Sequence, residues 1–298
     1  MKKRELNYCP IVLICLSVIV ACAGVQTSQK PEAQKMTTCP NCGMILKDWA
    51  HTNYEFINSD GHFRTCSIHC VADMSKKSGE QPRNVQVALH LKPEIMIPAD
   101  KAVYVIGSKE PGTMTAVSKL AFESKEAAEK FMADRGGKIG TFSDAFAAAT
   151  EELPKAKAVI ENNRKNKGKI VEPSEQDRCV VCNMAPSKYP KNNAQLITAD
   201  KKRFHLCSTQ CLFEFLKDPP KHGTGSNEVG DIWVHDYVSG RYIFGKNAYY
   251  AVGSKILGPM GYEAIAFDLK SEALEFAQAN GGRILKFTNV TIDKIKAK

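Results

Sequence analysis

The sequence predicts an α+β protein made of two homologous domains, each built from two strand–strand–helix–strand units. Three observations lead to this fold class. A sulfur-rich motif occurs twice, as CPNCGM at 39–44 and as CVVCNM at 179–184. Segments that follow each motif align with each other, for example AVYVIGSK at 102–109 with AYYAVGSK at 248–255. Within each copy, short alternating segments typical of strands flank amphipathic segments typical of helices.

Two longer alignments define the repeat. SDGHFRTCSIHC at 59–70 matches ADKKRFHLCSTQC at 199–211 with one inserted residue, and the 23 residues from Leu120 match the 23 residues from Ile265. The sequence therefore predicts two domains of about one hundred residues each, a usual size for one hydrophobic core. The predicted divisions are a signal peptide at 1–21, a tether at 22–36, the first domain at 37–142, a linker at 143–177 and the second domain at 178–293.

The first unit of the first domain is expected to begin with a hairpin. HTNYEFIN and GHFRTC alternate as strands do, and Asp60–Gly61 between them is a favoured turn pair. SIHCVADMSKKSG then predicts a short helix with Ser67 as N-cap and Gly79 at its end. NVQVALHL alternates again and predicts the strand that closes the unit.

The second unit repeats this order. AVYVIGS predicts a strand, and SKEAAEKFMADRGG predicts an amphipathic helix with Ser124 as N-cap. Ala127, Ala128 and Phe131 lie on one face of this helix, the Gly136–Gly137 pair ends it, and KIGTF is the closing strand.

Residues 143–177 match neither copy. They are rich in alanine and then in lysine and asparagine, which predicts a helical start that grades into a solvated, flexible connector. The formal charge of the chain is +9, and removal of residues 1–21 lowers it to +7. The basic residues are scattered lysines without interleaved aromatic residues, so no nucleic-acid partner is expected.

The N-terminus predicts export and lipidation. Lys2, Lys3 and Arg4 precede an apolar run that is too short to span a bilayer and is typical of a signal peptide. The run ends in IVAC, which resembles a bacterial lipobox, so cleavage before Cys22 and lipidation of its sulfur are expected. The membrane partner would then be reached through the lipid anchor, on the periplasmic side, and Ala23 slightly favours the outer membrane.

Eight of the eleven cysteines remain after the signal peptide and the anchor, and they divide four and four. In an exported protein an even number first suggests disulfides. The spacing is Cys-x-x-Cys-x-Met followed by Cys-x-x-x-Cys, and residues four apart on a helix share a face. The pattern therefore predicts two four-sulfur sites. Their cysteines are Cys39, Cys42, Cys66 and Cys70 in the first domain and Cys179, Cys182, Cys207 and Cys211 in the second.

Methionine discriminates between metals. Copper(I) is soft and accepts thiolate, thioether and imidazole, whereas zinc seldom takes thioether. Met44 and Met184 follow the first cysteine pair in each domain, although core packing is the usual role of methionine. Met114 and Met260 lie on equivalent loops after a strand, and His235 lies near the strand position equivalent to His90. Copper(I) is thus the expected metal, bound with help from Met44, Met114, Met184, Met260 and His235, and zinc is the alternative.

Three segments carry a family resemblance: CPNCGM, WVHDYVSGRYIFGKNAYYAVGS and GPMGYEAIAFDLKSEALEFAQANGGRILKF resemble the NosL family. The Cys-x-x-x-Cys part also resembles a TRASH-type metal-binding motif. The resemblance implies a lipid-anchored accessory protein of nitrous oxide reductase, similar in part to the organomercurial lyase fold. It also implies one copper(I) per domain, bound through cysteine, methionine and histidine. Such a protein delivers copper(I) in the periplasm to the membrane machinery that assembles the copper sites of the reductase.

The match to the family is not uniform. The second domain has Asn183 where the family has glycine, and Met260–Gly261 with Glu263 matches the family's Met-Gly loop. In the first domain Met114 is followed by Thr115, so the glycine and the glutamate are missing. The Cys-x-x-x-Cys pairs also depart from the simplest family pattern and allow an all-thiolate site.

Four functional hypotheses remain open from the residues alone. The first is a periplasmic copper(I) metallochaperone that serves a cuproenzyme such as nitrous oxide reductase. The second is a protein whose zinc sites only stabilise small folds. The others are a thiol–disulfide protein and a purely structural disulfide protein. No acid recurs beside the cysteines in both domains, so a carbon–mercury lyase is not favoured and no catalysis is expected.

Overall fold

The structure, a computed structural model, describes residues 36–225 and 228–297, and these described residues belong to one compact unit. The signal peptide, the lipidation of Cys22 and nearly all of the tether fall outside the described residues. The first domain contains β1 (Tyr54–Asn58), β2 (Gly61–Thr65), α1 (Ile68–Ser78), β3 (Arg83–Leu89), β4 (Lys92–Pro98), β5 (Val103–Ile106), β6 (Lys119–Phe122), α2 (Lys125–Arg135), β7 (Lys138–Gly140) and α3 (Phe142–Asn166).

The second domain repeats this order. It contains β8 (Ala194–Thr198), β9 (Arg203–Leu206), α4 (Thr209–Lys217), β10 (Val229–His235), β11 (Tyr242–Phe244), β12 (Tyr249–Gly258), β13 (Gly261–Phe267), α5 (Lys270–Asn280), β14 (Arg283–Lys286) and α6 (Ile292–Lys296). In the described part of the chain, no helix combines the length and the apolar character that crossing a membrane requires.

Each domain has two antiparallel sheets, and the sheets correspond between the domains. The four-stranded sheets have the orders β2-β1-β3-β4 and β11-β10-β8-β9, and the three-stranded sheets have the orders β6-β5-β7 and β13-β12-β14. The α+β class, the two homologous domains and their strand–strand–helix–strand units are confirmed. Strands β4 and β11, which widen the first sheet of each domain, were not predicted.

Local signals position these elements as expected, with one shift. Asn58 pairs with Gly61, so the β1–β2 hairpin turns on Ser59 and Asp60, one residue earlier than predicted. Gly79 ends α1 with φ of 73°, a left-handed conformation that glycine adopts without steric cost. The side chain of Ser124 accepts a hydrogen bond from the backbone N–H of Ala127 and caps α2.

The segment expected to be a solvated connector is packed instead. Most of it belongs to α3, whose Ala145, Ala149 and Leu153 are buried in the core of the first domain. These residues recur every fourth position, so they form one apolar stripe along the helix. Beyond α3, Ile170 is buried beside Trp233 of β10. The segment therefore contacts both domains, although the domain boundaries themselves stay predictions.

A cluster of charged side chains joins the two domains. The Lys77 ammonium lies 3.2 Å from Asp73 and 3.0 Å from Asp268, and the Lys157 ammonium lies 2.6 Å from Asp73 and 3.2 Å from Asp268. Asp73 and Lys77 belong to α1 and Lys157 to α3, whereas Asp268 follows β13 of the second domain. Each charge thus faces two opposite charges, which offsets the desolvation that burial imposes.

Candidate metal centres

The first cysteine pair of each domain lies on a tight loop. In the first domain the Cys39 N–H donates to the Met44 carbonyl at 2.7 Å, and the Gly43 N–H donates to the Cys39 carbonyl at 2.8 Å. In the second domain the corresponding distances are 2.9 Å from Cys179 to Met184 and 2.7 Å from Asn183 to Cys179. The two loops therefore present their cysteines in the same way.

One backbone conformation explains the replacement of glycine by asparagine in the second loop. Gly43 has φ of 78° and Asn183 has φ of 64°, so both are left-handed. Asparagine is one of the few residues with a Cβ that visits this region routinely. The departure from the family's Cys-Gly-Met pattern therefore preserves the loop.

The second cysteine pair of each domain brackets the start of a helix. Cys66 and Cys207 follow β2 and β9, and Cys70 and Cys211 lie in the first turns of α1 and α4. The Ser208 hydroxyl accepts a hydrogen bond from the Cys211 N–H at 3.2 Å. The positive end of the helix dipole lowers the cost of a thiolate at these positions, but hydrogen bonds with Cys39 or Cys179 raise the pKa of all four cysteines above its usual value.

The structure brings the four cysteines of each domain together. In each set the four Sγ atoms lie within 4.8 Å of one another. The distances from Cys66 are 3.5 Å to Cys42 and 3.6 Å to Cys70, and those from Cys207 are 3.3 Å to Cys182 and 3.6 Å to Cys211. We call the sets centre 1 (Cys39, Cys42, Cys66, Cys70) and centre 2 (Cys179, Cys182, Cys207, Cys211).

This geometry fits a metal ion better than disulfides. All eight cysteines are free, and a disulfide would hold its sulfurs about 2.0 Å apart. Sulfurs around a tetrahedral ion with bonds of about 2.3 Å lie about 3.8 Å from one another. The observed separations are only slightly shorter, so a small expansion admits an ion at the middle of each centre.

Hydrogen bonds among the thiols lower the pKa of one cysteine in each centre and so favour its thiolate, the form that binds metal. Burial alone would raise the pKa of Cys39, but hydrogen bonds from Cys42, Cys66 and Cys70 hold that pKa well below its usual value. In centre 2, hydrogen bonds from Cys207 and Cys211 lower the pKa of Cys179. The thiolate is the form that binds metal, so each centre starts with one ligand ready.

Thioethers surround centre 1. The Met44 sulfur lies 4.0 Å from the Cys66 sulfur, and Met114 also packs against the cluster. Met114 has φ of 67°, a conformation that costs energy for a residue with a Cβ and often marks a functional position. Met36 packs there as well and was not predicted, because the second domain has no methionine at the equivalent position.

Centre 2 is part of a larger core. Cys179, Cys207 and Cys211 belong to the main apolar cluster of the second domain, and Met184 and Met260 pack against that cluster. Both methionines are half-buried, as Met44 and Met114 are in the first domain.

His235 is not among the residues that the structure gathers at centre 2. Its ring nitrogens lie 2.9 Å from the Gly240 carbonyl and 3.1 Å from the Asn193 side-chain oxygen. Within the described residues, the clusters of three or more histidine, cysteine, aspartate or glutamate side chains that could hold a metal contain cysteine alone. In this conformation His235 orients the β10–β11 turn rather than facing the sulfurs.

Buried polar residues fix the loops that carry Met114 and Met260. The sequence analysis did not assign these polar residues to the centres. The Thr52 hydroxyl lies 2.8 Å from the Cys66 carbonyl and 3.0 Å from the hydroxyl of Thr113, the neighbour of Met114. In the second domain the buried Glu263 carboxylate accepts hydrogen bonds from the N–H groups of Thr209 and Gln210 at the start of α4. The first loop is thereby tied to the segment that carries Cys66, and the second is tied to the helix that carries Cys211.

Glu263 makes stability dependent on pH. Burial raises its pKa to about 7, despite the hydrogen bonds that lower it. A carboxyl with a raised pKa stabilises the fold below its unfolded value near 4.5, and this contribution is lost as the pH rises towards 7. We expect the reduced, metal-free protein to lose about 3 kcal/mol of unfolding free energy over that interval from this group. Urea unfolding at pH 4.5 and 7.5 measures the loss.

The Glu263→Gln variant should lack that part of the pH dependence, while the exposed Glu275→Gln variant should retain it. If Glu263→Gln loses stability with rising pH as steeply as the wild type does, another group is responsible.

Comparisons with known proteins find a matching family and two relatives. The NosL family model matches residues 30–149 and 170–295. The copper-binding lipoprotein NosL of Stutzerimonas stutzeri is 28% identical over 127 residues, which cover 39% of this chain and 63% of that protein. The match thus spans less than two thirds of the relative's length. Among solved structures, the crystal structure of the copper chaperone NosL from Shewanella denitrificans is similar to this chain, with 28% sequence identity and a TM-score of 0.37. The alignment covers 41% of this chain and 95% of that one.

Neither relative is named as an enzyme. The two segments that match the family model cover most of the chain and coincide with its two structural repeats. The chain therefore belongs to the NosL family and carries two copies of its domain.

Proposed function

We propose that this protein binds copper(I) at both centres and acts as a metallochaperone in the cell envelope. The observation that carries the proposal is the combination of thiolate and thioether at one site. The Met44 sulfur lies 4.0 Å from the Cys66 sulfur, beside four clustered thiols. Copper(I) accepts both donor types and tolerates low coordination numbers. A neutral thioether adds no charge, which helps a carrier to release its ion.

Membership of the NosL family supports a proposed location and a proposed client. The name of the Stutzerimonas stutzeri relative includes the word lipoprotein, which supports anchoring through Cys22 in the cell envelope. We propose that the protein faces the periplasm and delivers copper(I) to membrane machinery that assembles a cuproenzyme, such as nitrous oxide reductase. Copper is then the cargo of the protein, and the cysteines hold and release it without catalysing a reaction.

Structural zinc is the second candidate. Four thiolates at nearly tetrahedral separations also form a closed zinc site, and such sites contribute directly to folding. The two candidates differ in the role of methionine, because zinc seldom takes a thioether ligand.

Substitution of Met44 separates these candidates. In the Met44→Leu variant we expect the affinity for copper(I) at centre 1 to fall about tenfold, or about 1.4 kcal/mol, because leucine keeps the packing and removes the donor. Affinity for zinc should not change. Anaerobic titration of the reduced protein with copper(I) against a competing chelator gives the first value, and a zinc competition gives the second.

Met132→Leu is the matched control, since Met132 packs in the α2 cluster of the same domain, away from the cysteines. Unchanged copper(I) affinity in Met44→Leu, or failure of copper(I) to displace zinc, would contradict the copper proposal.

A further inference from the structure

The two centres differ in what covers them. A cavity lies where the last turns of α3 cross the second domain, and Cys42 and Met114 line it beside Arg164, Tyr242 and Phe244. Centre 1 therefore faces the interface between the domains. At centre 2, Cys182 is half-buried, whereas all four cysteines of centre 1 are buried.

Helix α3 lies beside centre 1 at the domain interface. Helix α3 spans 25 residues, and its second half extends past the core of the first domain to the second domain. Its counterpart α6 spans five residues and ends where Ala297 adopts an extended conformation. In the described part of the chain, centre 2 thus has no helix comparable to the end of α3.

Arg164 is one of the side chains that α3 places in this cavity, together with Lys157 and Glu161. Its guanidinium carbon lies 4.6 Å from the centre of the Trp233 ring, a cation–π contact with the second domain. Among the described residues no carboxylate forms an ion pair with Arg164, unlike the neighbouring Lys77 and Lys157. Burial lowers the pKa of this guanidinium, and the largest opposing contributions come from the side chains of Cys42 and Cys70.

A thiolate site that holds a monovalent or divalent ion keeps a net negative charge. A nearby cation in a half-buried position lowers the cost of that charge and so favours the metal-bound form. Metal transfer from a thiolate site also requires an acceptor ligand to reach the site. The half-buried Cys182 allows such an approach at centre 2. At centre 1 all four cysteines are buried, and the cavity beside Cys42 is walled by α3 and by Tyr242 and Phe244 of the second domain.

We propose that centre 1 retains its metal, with Arg164 as its counter-charge and part of its cover, and that centre 2 is the site from which metal exchanges. This division of roles rests on the proposed function, because it assigns delivery to one of the two centres. It concerns the rate of release and applies to copper(I) and zinc alike.

Release kinetics of the full-length, detergent-solubilised protein test the division. The protein is loaded with copper(I), or separately with zinc, and mixed with an excess of a chromogenic chelator for that metal. We expect two phases of similar amplitude. Cys182→Ser should remove the fast phase, and Cys42→Ser should remove the slow one. Arg164→Met should accelerate the slow phase at least tenfold without changing the fast phase, and Arg164→Lys should restore most of the slow rate.

Arg135→Met is the matched control, since it removes an exposed positive charge from the same domain. Urea unfolding of the metal-free variants shows whether Arg164 acts as a counter-charge or only stabilises the fold. If Arg164→Met accelerates metal release while its unfolding midpoint stays unchanged, Arg164 acts through its charge and its cover of centre 1. A single phase of metal release from the wild type, or loss of the slow phase in Cys182→Ser, would overturn the assignment of retention to centre 1 and exchange to centre 2. A shift of the Arg164→Met midpoint that accounts for the acceleration would overturn the role of Arg164. Two phases with zinc and no copper(I) binding would leave the division intact and refute copper delivery, and a protein that binds neither metal would refute both.

Discussion

Replacement of Cys66 by serine is expected to reduce the metal bound per chain from two ions to one. The Cys66 sulfur lies within 4.0 Å of three other sulfurs, those of Cys42, Cys70 and Met44. A serine hydroxyl is a poor ligand for copper(I) or zinc. Loss of one of four ligands should weaken binding on the order of 100- to 1,000-fold, given total affinities of roughly 10–16 kcal/mol for structural zinc.

The measurement is metal content by mass spectrometry after dialysis against a chelator that does not strip the wild type. Cys207→Ser is the matched variant for centre 2 and should also leave one ion, while the double variant should leave none. Two ions retained by Cys66→Ser would mean that the metal lies elsewhere in the first domain.

Replacement of Lys77 by methionine should destabilise the folded chain by about 3 kcal/mol, since breaking a buried ion pair leaves charge without compensation. Lys77 lies between Asp73 and Asp268, and its side chain is only 10% exposed. Burial alone would raise the pKa of Asp73, but Lys77 and Lys157 together hold it below its usual value. Without Lys77, Lys157 faces both carboxylates alone. Urea unfolding at neutral pH measures the loss.

Lys76→Met is the control for this prediction, because Lys76 is the exposed neighbour on the same helix. A double-mutant cycle with Asp268→Asn isolates the coupling across the domain interface. A coupling energy near zero would show that the interface does not depend on this contact.

The strand–strand–helix–strand units could be predicted from the sequence, whereas the added strands β4 and β11 and the full length of α3 could not. The units were predictable because glycine and serine at helix ends, such as Gly79 and Ser124, act locally. Strand β4 has proline at both ends of KPEIMIP, which weakens its strand pattern, and β11 is only three residues long. Helix α3 runs through Pro154, a residue that usually disrupts a helix interior, so its full length depends on tertiary packing.

Prediction of the centres had a similar limit. The eight cysteines were predictable because their spacing recurs and because turns and helix starts direct them locally. Met36 has no methionine at the equivalent position of the second domain, and Arg164 lies in the part of α3 that exceeds the length of α6. Recurrence therefore gave no signal for either residue. His235 carried such a signal, yet the structure engages both of its nitrogens in hydrogen bonds with Gly240 and Asn193.

The course of α3 has a consequence for how the chain unfolds. One half of the helix completes the core of the first domain through Leu153, and the other half lies against Trp233 and Arg241 of the second. Melting either domain therefore removes a surface that the other uses. We therefore expect the duplicated halves to unfold as one cooperative unit, so that damage to one repeat lowers the protection of backbone amides in both.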